Sequence, residues 1–560
     1  MRRIDAHITA VLVLVVAFAV LPASTEGEAP GALPSLIEQA RDPGAIYRPV
    51  PLWWWDGDQL EIERLKWQLD QLHEQGVDQV CLIYLNPLGS QPPYFTEDWW
   101  TLYQDMVDHA ESLGMTVWLT DGVAWGSPFI NNTVLEGNPE FRGQLLEARP
   151  QTVTGPRRAR HEIPEGYEVE EILGAFAYRR TGAGIDLEDR HDLSGLLQGR
   201  KLEWDAPEGD WELMIFYYRP MGFQGDLELG FGKGYGVDYT SPEAMQKLIG
   251  LTTGAYDARV KEHIGQTVVG TFQDELVTHH HYGFPPFSKT FAAEFQERRG
   301  YDLVPRLGAL FVDAGRLTDR VRCDYFEVLV QLFEEAFYEP YFTWHEDRGM
   351  MVAHDQFGRM DLIGQTWGYG DYYRTQSWFQ VPGYDDWNQG TPGRNWKDAK
   401  LASSIAQLYD RSRVWVEALH SSGWGVDLQE QVWTLNENYI YGANLWDKHG
   451  FDYASYGTWY NWAAPTAHYR MPYWMHYRPF ADYVTRMSFL QSQGEYLADV
   501  GVFYPVHTMQ ANYVAHRGAT DMAAITETQF WAVGQHLLQN QIDFHYVNDA
   551  VLQAATVADG

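Results

Sequence analysis

Acidic and imidazole side chains recur just past short apolar runs along this chain: Asp56, Asp121, Asp274 with Glu275, His354 with Asp355, Asp385 with Asp386, Glu417 with His420, and Asp447 with His449. In a barrel of parallel strands the carboxyl ends converge on one mouth, so charge repeated at that position reads as chemistry. Cleaving a glycosidic bond takes one protonated carboxyl, to hand a proton to the leaving oxygen, and one ionised carboxylate, to attack the anomeric carbon or activate water. Glu275 in Thr271-Phe-Gln-Asp-Glu275 and Glu417 in Val414-Trp-Val-Glu417 directly end hydrophobic runs and form the best pair. A lone acidic residue so placed is more often a solvated loop group or half of an ion pair, but the repetition outweighs that reading.

Around this pair, Trp55, Asp56, Asp121, Trp125, Asp274, His354, Asp386, His420, Trp424 and His449 are the candidate sugar contacts. Trp53, Trp54, Trp367 and Trp387 also flank these positions, and alternation along a strand turns Trp54 toward the barrel core. His279-His-His281 invites a metal reading, yet three consecutive residues do not easily turn to one ion, and no HxxxH or HExxH spacing occurs. Asp385, Asp386 and Asn388 are rich in oxygen but lack the spacing of a calcium loop. No metal ligand is assigned from these residues.

Positioning such groups requires strands that alternate with helices. From Pro51 the pattern does alternate: strands at 51–55, 77–85 and 115–119, helices at 60–75 and 97–113, with Gly76 and Gly114 as stops. It resumes with a helix over 242–262, a strand at 267–272, helices at 287–299 and 319–348, and a strand at 350–353. Strands near 379–381, 414–416 and 443–445 follow, with helices at 398–409 and 428–441. These make about eight βα-like units, the number that closes a (β/α)8 TIM-like barrel. Residues 143–235, rich in Gly, Pro and short alternating runs, read as an inserted β-rich domain. The barrel is thus expected over 25–142 and 236–495. A C-terminal α/β domain begins at 496 and reaches 560 after barely two units, which reads as truncated.

The 560 residues carry a formal charge of -35, which argues against nucleic acid or an anionic membrane surface as partner. Trp 23, Tyr 34 and Phe 26 amount to 15% of the chain. Flat rings pack on pyranose faces, although aromatics in bulk are first of all core residues. Arg2 and Arg3, an apolar run from Ile8 to Leu21, and Pro22-Ala-Ser24 have the three regions of a secretory signal peptide, so export is expected. No other stretch is long and apolar enough to span a membrane. Cys81 and Cys323 are the only cysteines, and buried free thiols are favoured over one bridge.

At these residues the chain resembles the α-L-rhamnosidases of glycoside hydrolase family 106. The resemblance is carried by Pro51-Leu-Trp-Trp-Trp-Asp56, Val117-Trp-Leu-Thr-Asp121 with Trp125-Gly-Ser-Pro128, Phe272-Gln-Asp-Glu275, Arg299-Gly-Tyr-Asp-Leu303, Ala402-Ser-Ser404 and Glu417-Ala-Leu-His-Ser-Ser-Gly-Trp-Gly425. It implies a barrel with an inserted β-sandwich, an oligo- or polysaccharide substrate, and inverting cleavage assisted by Ca2+. By that likeness Glu275 is the general acid and Glu417 the general base. Gln273 and Leu276 stand where the family commonly has Thr and Pro, and the Asp121–Ser127 region is rearranged, a departure that bears on the sugar more than on the reaction. A retaining β-glycosidase on the same barrel and a non-catalytic carbohydrate-binding protein remain the alternatives.

Overall fold

The computed structural model describes residues 15–17, 32–57, 59–84, 90–120, 133–182, 184–224, 233–274, 283–355, 361–386, 396–455, 469–494 and 496–556. The fold is mixed α/β, built around parallel strands. In chain order these are β1 (Leu52–Trp55), β2 (Gln79–Tyr84), β3 (Thr116–Thr120), β4 (Val268–Asp274), β5 (Met351–Asp355), β6 (Gly383–Asp386), β7 (Trp415–Ala418), β8 (Leu445–Lys448) and β9 (Phe451–Asp452). Six form one sheet in the order β5-β4-β3-β2-β1-β9, and β6-β7-β8 form a second. Two hydrogen bonds link the sheets: Val381 donates its N–H to the carbonyl of Val352 at 3.0 Å, and Val50 to that of Trp446 at 2.9 Å.

The strands bury both faces, as parallel strands do when helices cover them. One face gathers Leu52, Trp54, Cys81, Ile83, Trp118, Phe272, Ala353, Trp415 and Leu445 into an inner cluster. Phe272 on β4 stacks on Trp415 of β7 at 4.6 Å, so the two sheets face each other across this cluster. Trp118 lies over Gly270, where a Cβ would meet the indole at 2.4 Å; only glycine admits the ring. The opposite face, with Trp53, Trp55, Val80, Leu82, Val117 and Val416, packs against the helices. Helix α1 (Ile62–Glu74) offers Leu65, Gln68, Leu69 and Leu72, spaced to form one stripe. Helix α2 (Glu97–Ser112) is capped by Thr96, whose hydroxyl accepts from the Trp99 N–H, and it buries Trp99, Tyr103, Met106 and Ala110.

Between β3 and β4 the chain leaves this pattern for an antiparallel sheet of long ribbons, in which Gln144–Glu162 pairs with Lys201–Pro220 and the latter with Glu171–Thr181. Alternation divides its side chains: Val153, Ala175, Trp211 and Ile215 fill one face, while Phe176, Met214 and Phe216 join the helix Thr318–Phe333 on the other. After the parallel set, Val500–Phe503 and Phe544–Val547 pair in parallel beside the helix Asp521–Gln539. Of the first 31 residues only Val15–Ala17 are described, antiparallel to Val500–Val502.

Several expected elements differ. The helix expected over 242–262 is two, Pro242–Leu251 and α3 (Thr253–Arg259), broken at Thr252, whose ψ of -101° is not helical. The helix over 319–348 carries a π-helical turn at Glu334–Tyr338. At Val381 there is only a bridge to Ala353, and the strand itself is Gly383–Asp386. Cys323 is half-buried, not buried, and both thiols are free. Most consequentially, β4, β5, β7 and β8 run on through the acidic residues that were placed just past them, because ladder hydrogen bonds to a neighbouring strand override the weak strand preference of Asp and Glu. Trp415 is fully buried between Phe272 and Trp118. Trp415→Ala should therefore lower the unfolding free energy by about 3–5 kcal/mol, read as a shift in urea midpoint at unchanged slope.

Candidate active site

Register and alternation together place five carboxyls in one layer. Asp274 stands beside Asp355 across β4 and β5, and Asp385, Glu417 and Asp447 stand side by side across β6, β7 and β8. Each lies two residues past an inner-face position (Phe272, Ala353, Gly383, Trp415 and Leu445), so each points to the same side as the inner cluster. One carboxylate oxygen each from Asp274, Asp355 and Glu417 lie within 4.8 Å of one another. Two like charges about 5 Å apart repel by roughly 3 kcal/mol even at an effective dielectric of about 20. Burial, then the charges of Asp355, Asp385, Asp274 and Asp447, push the Glu417 carboxyl well above its ordinary range. Burial and the charge of Asp355 do the same to Asp447. Full ionisation of the layer is therefore unfavourable, and a cation placed there would offset it. Oxygen-only donors in this number fit a hard cation such as calcium.

The turn after Glu417 is strained. Leu419 and Ser421 hold φ of 69° and 56°, a region non-glycine residues seldom occupy and that clusters at functional sites. Between them His420 meets His449 edge-on at 4.7 Å, and His449 lies 5.3 Å from Trp54. Burial and the neighbouring His420 hold the His449 imidazole well below its usual range, so it stays neutral. A Cβ on Gly450 would meet the Trp54 indole nitrogen at 2.2 Å, which makes this close approach a glycine position. Trp424, in the same connection, is 40% exposed.

Three of the expected sugar contacts turn away from this layer. Trp55 is fully buried on the helix-facing side, its ring 5.3 Å from Trp53 and 6.3 Å from Trp99. His354, one residue before Asp355, points to the opposite face and lies 4.2 Å from Phe379. Asp386 accepts a hydrogen bond from Asn438 at 2.7 Å, on helix α4 (Leu428–Ile440), and so braces the outer layer. The cause is the two-residue period of a strand: a neighbour of an inward residue points outward. Glu275, Asp121 and Trp125 lie outside the described residues, as do His279, His280, His281, Trp387 and Asn388.

How several other residues group together was not visible in the sequence. Asp355, Asp385 and Asp447 were visible as acidic residues at strand ends; their membership of one layer was not, because it depends on register. Lys448 follows Asp447 and points outward, where its ammonium donates to Gln431 at 2.9 Å; burial brings it down to about 7. Asp452 and Asp56 are buried near one another. Asp56 accepts from the Ala454 N–H at 3.0 Å, and its second oxygen, like one of Asp452, has no hydrogen-bond partner. Burial raises Asp56 to about 7, and burial with the Asp56 charge raises Asp452 well above its usual range. A carboxyl raised on folding stabilises below its unfolded pKa, and that stability is lost as pH rises through the folded value. Asp452→Asn should therefore make the fall in Tm between about pH 4 and pH 7 shallower than in the parent; parallel curves would remove the pair from the account.

Comparison with known proteins places this arrangement. The model of glycoside hydrolase family 106, described as alpha-L-rhamnosidase, matches residues 153–522, more than half of the chain. A curated relative from Formosa agariphila, named "Putative beta-glucuronidase", is 22% identical over 515 residues, which is 80% of this chain and 41% of that protein. The chain thus spans about two fifths of the length of that relative. The solved rhamnosidase from Novosphingobium sp. PP1Y shares the fold with a TM-score of 0.65 at 15% identity, over 94% of this chain and 66% of that one. A beta-galactosidase from the psychrophilic Marinomonas ef1 gives 0.50 at 10% identity, over 89% and 70%. With its strand-borne carboxylates inside the matched span, the chain belongs to glycoside hydrolase family 106.

Proposed function

We propose that this protein is an exported glycosidase that removes terminal α-L-rhamnosyl-type sugars from an oligo- or polysaccharide by a two-carboxyl mechanism. The single observation that carries the reading is the inward layer of Asp274, Asp355, Asp385, Glu417 and Asp447 at the carboxyl ends of parallel strands. The same layer supports closure of the strands into a (β/α)8 barrel. The inner cluster draws on strands of both sheets, and hydrogen bonds at Val381 and Val50 join one sheet to the other.

Within this reading Glu275 follows Asp274 directly and acts as the acid that protonates the leaving oxygen, while Glu417 is the base for water in an inverting reaction. The raised Glu417 carboxyl sets a condition on that role, because burial and then the carboxylates around it favour its protonated form, and an offsetting charge would favour the ionised one. Asp274, Asp355 and Glu417 are the residues that would hold Ca2+, and the bound ion would supply the offsetting charge and a point to orient sugar hydroxyls. His449 presents a neutral imidazole to the sugar with His420 beside it, and Trp424 offers an exposed ring for the sugar's apolar face.

With aryl α-L-rhamnoside as substrate, Glu417→Gln and Glu275→Gln should each lower kcat roughly a hundred- to ten-thousand-fold. Full activity in both variants would sink the assignment, and turnover of the aryl β-glucuronide alone would move it to the other sugar. Removing divalent ions with a chelator should depress kcat/KM at neutral pH and move the acid limb of the pH profile upward, since Glu417 then keeps its proton to higher pH. An unchanged profile would dismiss the cation while leaving the two carboxyls in place.

A further inference from the structure

A second group of metal-ligand type lies at the other end of the strands. Helix α2 runs toward the start of β3, and the segment after α3 leads into the start of β4. Asp108 and Glu111, one turn apart near the end of α2, project from one face of the helix. His263 faces them from the segment entering β4. One ligand atom from each of the three lies within 4.8 Å of the others. β4 is seven residues long, so the group sits roughly 20 Å from the carboxylate layer at the strand's far end.

His263 is held firmly. Its N–H donates to Val260 at 2.9 Å, and its carbonyl accepts from Gln266 at 3.1 Å and from Val268, the first residue of β4, at 2.9 Å. The imidazole side chain is only 6% exposed. Its Nε2 lies 3.0 Å from Asp108 Oδ1. With Asp108 accepting from Nε2, the Nδ1 lone pair is left pointing toward Glu111 Oε2 at 3.7 Å, and Nδ1 is a buried nitrogen with no hydrogen-bond partner. A carboxylate that fixes the tautomer of an imidazole whose other nitrogen is open is the arrangement that surrounds metal-ligating histidines. The two carboxylates are largely exposed, at 67% and 59% of the side chain, so rotation of these side chains could close them on an ion.

We propose that His263, Glu111 and Asp108 form a binding site for a divalent transition ion of the Zn2+ class, with His263 Nδ1 and Glu111 as direct ligands, Asp108 orienting the imidazole and water completing the shell. Imidazole nitrogen distinguishes it from the oxygen-only layer, which suits calcium. The ion clamps the end of α2 to the entry of β4, the strand that carries Asp274. A site at the amino-terminal ends of such strands serves stability rather than chemistry. The inference does not depend on the proposed reaction.

The test uses the full chain in excess Ca2+, so that the carboxylate layer is occupied, with Zn2+ titrated by calorimetry and Tm followed in parallel. The parent should show one saturable Zn2+ site and a rise in Tm, and Co2+ should give the visible absorption of a nitrogen-ligated ion. Glu111→Gln, at an exposed position that leaves folding intact, should abolish both signals. Asp108→Asn should weaken binding about 10- to 100-fold. No saturable binding up to about 1 mM Zn2+, or equal binding by parent and Glu111→Gln, would show a plain histidine–carboxylate cluster and overturn the site.

Discussion

Five carboxyl groups held in one layer, four of them buried and Asp274 half-buried, are the constraint around which the rest of this molecule is organised. Each of Asp274, Asp355, Asp385, Glu417 and Asp447 sits one inward step above a nonpolar residue or glycine, so the inner cluster forms the floor of the layer and keeps water from screening it. Crowding like charges favours keeping protons on some of these carboxyls, and in the proposed reaction a bound cation would offset the rest. Stability and chemistry are therefore opposed at this point. The strain at Leu419 and Ser421 lies in the same place, next to Glu417.

The outer face does different work with similar residues. Asp386 and Asn438, Thr271 and His345, and Lys448 and Gln431 join strands to helices through buried hydrogen bonds. These contacts fix where each strand ends relative to its neighbour, and so fix the level of the carboxyls. Trp53 and Trp55 add bulk to the packing of α1 and α2, while Trp54, between them, faces His449. One tripeptide thus supports the helix layer with two rings and shapes the site with the third.

The antiparallel sheet between β3 and β4 shares its core with the helix Thr318–Phe333 through Phe176, Met214 and Phe216. Removing an insertion anchored in this way would expose a continuous apolar face. The pair Val500–Phe503 and Phe544–Val547 is likewise tied on, by Lys400 to Asp543 at 2.8 Å and by Trp396 against Trp531.

The alternation of apolar runs and helical stripes in the sequence was enough to place the strands and helices within a few residues, because burial on both faces leaves a hydrophobic signature that does not depend on partners. It also brought out Glu417, Asp274 and the strand-end acids, since a carboxylate after an apolar run is conspicuous, and alternation alone turned Trp54 inward. What the sequence could not settle was which acids share a layer. That depends on register between strands far apart in the chain, and a shift of one residue reverses every side chain. Hence Asp386, His354 and Trp55, adjacent to inward residues, were read as facing the mouth and instead face helices. Asp56 with Asp452, and His263 with Asp108 and Glu111, are companions only because tertiary packing joins segments with no sequence relation to each other.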